Sequence, residues 1–147
     1  MNILLLLHSI TRYLVLIGLF GVIIQSLVGL TQNKPYGKLE NKAGLYLFIF
    51  THTQLLLGLI LYFVSPLGIS NFNSLAMKDA STRYWLVEHG GIMLTAIVLI
   101  TLARTTSKKL TNDADKHKRL LIFNSIALVL IILGIVMSGR GLFNIPS

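Results

Sequence analysis

The sequence predicts an all-α fold, an integral membrane four-helix bundle with both termini on the outer, periplasmic side. Three observations predict it. Apolar residues make up 54% of the 147 residues and charged residues only 12%, against about 25% charge in a soluble domain. Four apolar runs are each long enough for a bilayer crossing, which takes about 20 helical residues. The Lys and Arg residues between those runs fall unevenly on the two sides. A mean hydropathy of +0.74 excludes a disordered chain. The absence of cysteine excludes a disulfide framework, a thiolate metal site and a c-type haem attachment.

The whole chain, 1–147, reads as a single transmembrane domain. The first span covers about 3–30 and lacks the basic leader and small-x-small site of a signal peptide. It reads as a retained span with a very short translocated tail. The second span, about 43–64, carries Gly44, Thr51 and Gly58 at seven-residue intervals, hence on one face. The third, about 85–102, holds the pair Gly90–Gly91, and the fourth, about 120–137, places Gly134 and Ser138 four apart. Small residues at such spacings let helices approach closely. The stretch from Pro66 to Arg83 is the longest polar connection, and its Phe72, Leu75 and Met77 suit a segment lying at the membrane surface.

Counting Lys and Arg by side orients the bundle. Lys34, Lys38 and Lys42 follow span one, and Arg104, Lys108, Lys109, Lys116, Lys118 and Arg119 follow span three. The other side holds Lys78, Arg83 and Arg140, with Arg12 inside span one. Nine against three places the basic loops in the cytoplasm. The net charge of +8 is thus a topology signal and an attraction to anionic membrane lipid, and no nucleic-acid partner is expected. Asp113 and Asp115 open an amphipathic lead-in to span four. The run Lys116–Arg119, His117 included, reads as a solvated, lipid-attracting helix start.

Ionisable residues at membrane depth are costly and mark function. Span one carries His8 and Arg12, span two carries His52 beside Gln54, and span three carries Glu88 and His89. At about 1.5 Å per residue, His8 lies about 8 Å and His89 about 6 Å inside the outer ends of two parallel spans. Two imidazoles at one level on different helices suit the two axial positions of a haem iron. The same pair would also serve as a polar bundle contact, or as a quinone or proton-handling site. His52, about 18 Å deep, is off that level, and with Gln54 it suits interhelical hydrogen bonding. Arg12 follows His8 by one helical turn and is expected to pair with Glu88. Arg83, Tyr84, Trp85 and Arg140 would form an interfacial belt or receive haem propionates.

The pattern His8-x-x-x-Arg12, the run from Thr51-His52-x-Gln54 to Ser65-Pro66, and Met77-Lys78-Asp79, Thr82-Arg83, Glu88-His89 and Lys116-His117-Lys118 resemble one family. It is a family of small four-span bacterial inner-membrane proteins commonly labelled cytochrome b-like, and the resemblance covers nearly the whole chain. It implies a multi-pass protein of the bacterial inner (plasma) membrane that binds haem b. Di-haem four-helix cytochromes carry two histidines in one helix about four turns apart. No span here does, so one haem is expected.

Two functions follow as expectations. The first is a b-type cytochrome with one haem near the outer face, metal-ligated by His8 and His89, with Arg12, Glu88 and Arg83 around it. It would transfer electrons with a quinol pool or a partner subunit. The second is a non-catalytic accessory subunit of a larger inner-membrane complex with no cofactor of its own.

Overall fold

The computed structural model describes residues 2–64, 83 and 87–138. Four helices account for nearly all of them: α1 (Asn2–Thr31), α2 (Lys38–Val64), α3 (His89–Ser107) and α4 (Asp113–Ser138). All four are long and apolar enough to cross a membrane. The shortest, α3, has 19 residues, about 28 Å of helix against a hydrocarbon core of about 30 Å. Tyr84, Trp85, Arg140 and the segment from Pro66 to Thr82 lie outside the described residues.

The helices pack as a ring. α1 lies between α2 and α4, α4 between α1 and α3, and the side where α2 meets α3 is the thinnest. Successive helices run in opposite directions, so the 32–37 and 108–112 connections share one end, here the basic end. The start of α1 and the start of α3 share the far end.

Each helix buries one narrow stripe. On α4 it runs His117, Leu120, Asn124, Ala127, Ile131, Gly134 and Ile135, the three-and-four spacing of a bundle face. It meets Val15, Leu16, Leu19 and Val22 of α1, Leu47 of α2, and Ala96, Ile100 and Ala103 of α3. The outward faces are apolar too. Ile17, Phe63, Val129 and Val136 are each more than 60% exposed. A belt of that extent on every helix suits acyl chains rather than water. Hydroxyls on these helices bond their own backbone: Thr11 to the Leu7 carbonyl at 2.8 Å, Ser26 to Val22 at 2.8 Å and Thr51 to Leu47 at 2.6 Å. Without water in the membrane, a hydroxyl needs such a local acceptor.

The caps at the basic end explain why α2 and α4 begin earlier than the apolar runs. After α1, Asn33 takes the left-handed conformation (φ 53°), and the Lys34 N–H returns to the Gly29 carbonyl at 3.0 Å. That closes a Schellman turn, with Pro35 blocking further helix. At the start of α2, the Gly37 N–H donates to the Glu40 carboxylate at 3.1 Å. At the start of α4, Asn112 Oδ1 accepts from the Ala114 and Asp115 amides at 2.8 and 3.3 Å. The Asp113–Asp115 lead-in expected from the sequence is thus the first turn of α4.

Three glycines act as slots, each admitting one polar side chain. A methyl group on Gly29 would stand 2.4 Å from His117 Cε1, one on Gly44 2.9 Å from an Arg104 guanidinium nitrogen, and one on Gly58 3.4 Å from His8 Cε1. The expected Gly44–Thr51–Gly58 face is therefore real, and Thr51 is buried between the two slots. The pair Gly90–Gly91 corrects an expectation: nothing among the described residues lies within 4 Å of a methyl group at either. Gly90→Ala or Gly91→Ala should therefore stabilise α3, by a few tenths to about 1 kcal/mol from helix propensity. Thermal unfolding in detergent checks this, and a loss of stability would contradict the open space.

The basic end is knitted by Tyr36, His117 and Arg104. His117 corrects a second expectation. It is 1% exposed, with Nε2 2.9 Å from the Lys34 carbonyl and its ring 5.9 Å from that of Tyr36. It points inward because it opens the buried stripe of α4. The Arg104 guanidinium bonds the Asn41 carbonyl at 3.3 Å and Asn41 Oδ1 at 3.5 Å. Burial pushes the Tyr36 phenol above its ordinary value, a shift that Arg104 opposes and Glu40 adds to. A folded-state pKa raised in this way favours the fold below about pH 10, and that favour is lost as pH rises through the folded value. Stability should thus fall above about pH 10, and Tyr36→Phe should flatten that fall. An unchanged alkaline limb in the variant would remove Tyr36 as its source.

Candidate functional site

His8 and His89 meet across the bundle. They come from α1 and α3, opposite members of the ring, and their ring centres lie 6.4 Å apart at an interplanar angle of 70°. The level match read from the sequence therefore has a direct counterpart in side-chain contact. The α-helix α3 starts at His89, and Val87 and Glu88 directly before it are π-helical.

α2 supplies the third wall. The Cε1–Nδ1 edge of His8 rests against Gly58, and Gln54 Nε2 lies 3.5 Å from His8 Nε2. His8 Nδ1 and Gln54 Oε1 are buried and have no hydrogen-bond partner among the described residues. Buried polar atoms are nearly always paired, so an orphan at such a point calls for an explanation. Gln54 sits on the Leu47–Thr51–Gly58–Leu61 stripe, which accounts for its contact with α1.

His52 takes no part. Its Nδ1 lies 2.8 Å from the Phe48 carbonyl one turn back, and its ring packs on Phe48 with centres 4.1 Å apart. Two residues from Gln54 on a helix, it faces nearly the opposite way. The exclusion of His52 from the His8–His89 level agrees with this arrangement, while the grouping of His52 with Gln54 does not.

The charges near the pair are arranged differently from expectation. Glu88 Oε1 accepts from Arg83 Nε at 2.9 Å, where the sequence reading paired Glu88 with Arg12. The two residues of the Arg83–Glu88 pair are close in sequence and both are partly exposed, so their long side chains meet with little desolvation. Arg12 lies over the Tyr13 ring, 4.9 Å from its centre, and donates to the Tyr13 hydroxyl at 3.1 Å.

The donor set discriminates between kinds of metal. Among the described residues no three His, Asp or Glu side chains gather to hold an ion. A bare metal ion needs about four ligand atoms, which this pair cannot supply. A haem iron brings four nitrogens of its own and needs only two axial ligands. Two imidazoles on one metal atom, each bonded at about 2 Å, set their ring centres about 6 Å apart. The observed separation of 6.4 Å is close to that distance. No family model, curated protein or solved structure matches the chain.

Proposed function

We propose that the chain is a small b-type haem protein of the bacterial inner membrane, holding one haem between His8 and His89 near the outer face. The observation that carries this reading is the meeting of the two imidazoles, from opposite helices, with ring centres 6.4 Å apart. The count of basic residues orients the bundle, with the Lys34–Lys42 and Arg104–Arg119 end in the cytoplasm. The resemblance to cytochrome b-like inner-membrane proteins agrees with the reading.

Bound haem would supply a one-electron couple for exchange with a quinol pool or a partner subunit. The chain's own residues set its surroundings. His8 and His89 would hold the group, and the bundle's apolar stripe would exclude water beneath them. Arg12, one turn from His8, and Arg83 would offer positive charge to the group's carboxylates. Glu88 holds Arg83 in place.

Purified protein, expressed with ample haem, tests the reading. A reduced-minus-oxidised spectrum with a sharp b-type band and one haem per chain is the expected result. A chain that folds and carries no haem would end it.

A further inference from the structure

We propose that the seam between α2 and α3 seats an anionic phospholipid at the basic end, its phosphate held by the Arg104 guanidinium and the Tyr36 hydroxyl. The excess of basic residues draws anionic lipid to this end at large, and the seam singles out one place for it. The site lies at the opposite end of the bundle from His8 and His89 and is independent of the haem reading.

The donors converge on a notch. Arg104 stands in the last turn of α3 and reaches across the thin side of the ring to α2. A methyl group on Gly44 would lie 2.9 Å from its guanidinium nitrogen and 3.9 Å from the Tyr36 hydroxyl, so both donors border one small space. The guanidinium carries five N–H donors, and its contacts to Asn41 are long, 3.3 Å to the carbonyl and 3.5 Å to Oδ1. Both acceptors are neutral. Among the described residues no carboxylate lies within ion-pair distance of Arg104. Glu40, the acid at the start of α2, is engaged with the Gly37 amide. A phosphate supplies the missing negative charge, with oxygens that match the guanidinium fork.

The level is that of a headgroup. Arg104 and Asn41 each stand three residues from the basic end of their helix, about 4.5 Å by helical rise. Helical phase puts Lys108 on the Arg104 face of α3 and Lys38 on the Asn41 face of α2, so both flanks of the notch carry a lysine. Toward the membrane the seam turns apolar. The Phe48 ring centre lies 6.0 Å from the guanidinium carbon. Leu45, 40% exposed, follows Asn41 by one turn, and Ile97 precedes Arg104 by two. Anion donors at the interface with an apolar furrow beneath them match the two ends of a phospholipid. A free anion would use only the first.

The full chain, purified in detergent, is titrated with palmitoyl-oleoyl phosphatidylglycerol or with the matching phosphatidylcholine, and bound lipid is counted by native mass spectrometry. The wild type should keep phosphatidylglycerol in preference to phosphatidylcholine, and added inorganic phosphate should not displace it. Arg104→Lys keeps the charge and loses the fork, so it should lower retention about tenfold, the worth of a charge-assisted hydrogen bond. Tyr36→Phe should lower it about threefold, and it carries the test should Arg104→Lys fail to fold. Lys118→Gln removes an exposed charge on α4 and should change retention by about twofold at most. Equal retention of the two lipids, or displacement by phosphate, overturns the proposal. So does undiminished retention in Tyr36→Phe or in folded Arg104→Lys, or a loss in Lys118→Gln as large as theirs, which would make the attraction diffuse.

Discussion

Gly29→Ala should destabilise the bundle by about 2–4 kcal/mol, combining an overpacked interior with a lost buried hydrogen bond. The added methyl would lie 2.4, 2.5 and 2.7 Å from three atoms of the His117 ring. That ring is rigid, and its Nε2 is committed to the Lys34 carbonyl. It cannot yield as the flexible end of Arg104 can at Gly44. Relief requires His117 to leave its slot, which breaks the tie between α4 and the turn after α1. Unfolding in detergent, followed by loss of helix signal, measures the effect. A change under about half a kcal/mol would show that the slot is loose. The double variant Gly29→Ala/His117→Ala should lose less than the two singles together, since removing the imidazole clears the space the methyl needs.

The second large effect is spectroscopic. His8→Ala or His89→Ala should each abolish the b-type band, lowering retained haem at least tenfold, as loss of an axial ligand removes more than the outer-shell changes that cost about 10–100-fold. His52→Ala should keep the band, because its ring is engaged with Phe48 and lies off the site. His117→Ala should also keep it, although that variant is less stable. Loss of the band in the His52 variant alone would overturn the assignment of the ligands.

The four helices were legible because hydropathy reports the cost of placing backbone in lipid, and only long apolar helices meet it. Their ends at the basic side were less so. Lys38–Lys42 and Asp113–Arg119 are polar, and hydropathy is blind to helix that continues into water. The cap residues Gly37 with Glu40, and Asn112, carried that information instead. At the site, level could be counted along the chain, which brought His8 and His89 together. Face could be counted as well: Gln54 is in phase with Leu47, Thr51, Gly58 and Leu61, and His117 with Leu120 and Asn124. Both follow from helical phase, and reading His52 with Gln54, or His117 with its basic neighbours, looked at adjacency instead. The partner of Glu88 was not legible. It depends on where Arg83 sits in space, which sequence separation alone does not give.

The thin side of the ring, between α2 and α3, divides the molecule into two helical hairpins joined chiefly through α1 and α4. His8, Gln54 and Gly58 belong to the first hairpin, and Glu88 and His89 to the second. Neither half owns the site. During synthesis the α1–α2 hairpin can enter the membrane while His8 still has no counterpart, and the imidazole pair comes into being only when the later hairpin docks. The pair is in that sense a signature of completed assembly, and a ligand that bridges it would bind the finished molecule and neither of its parts.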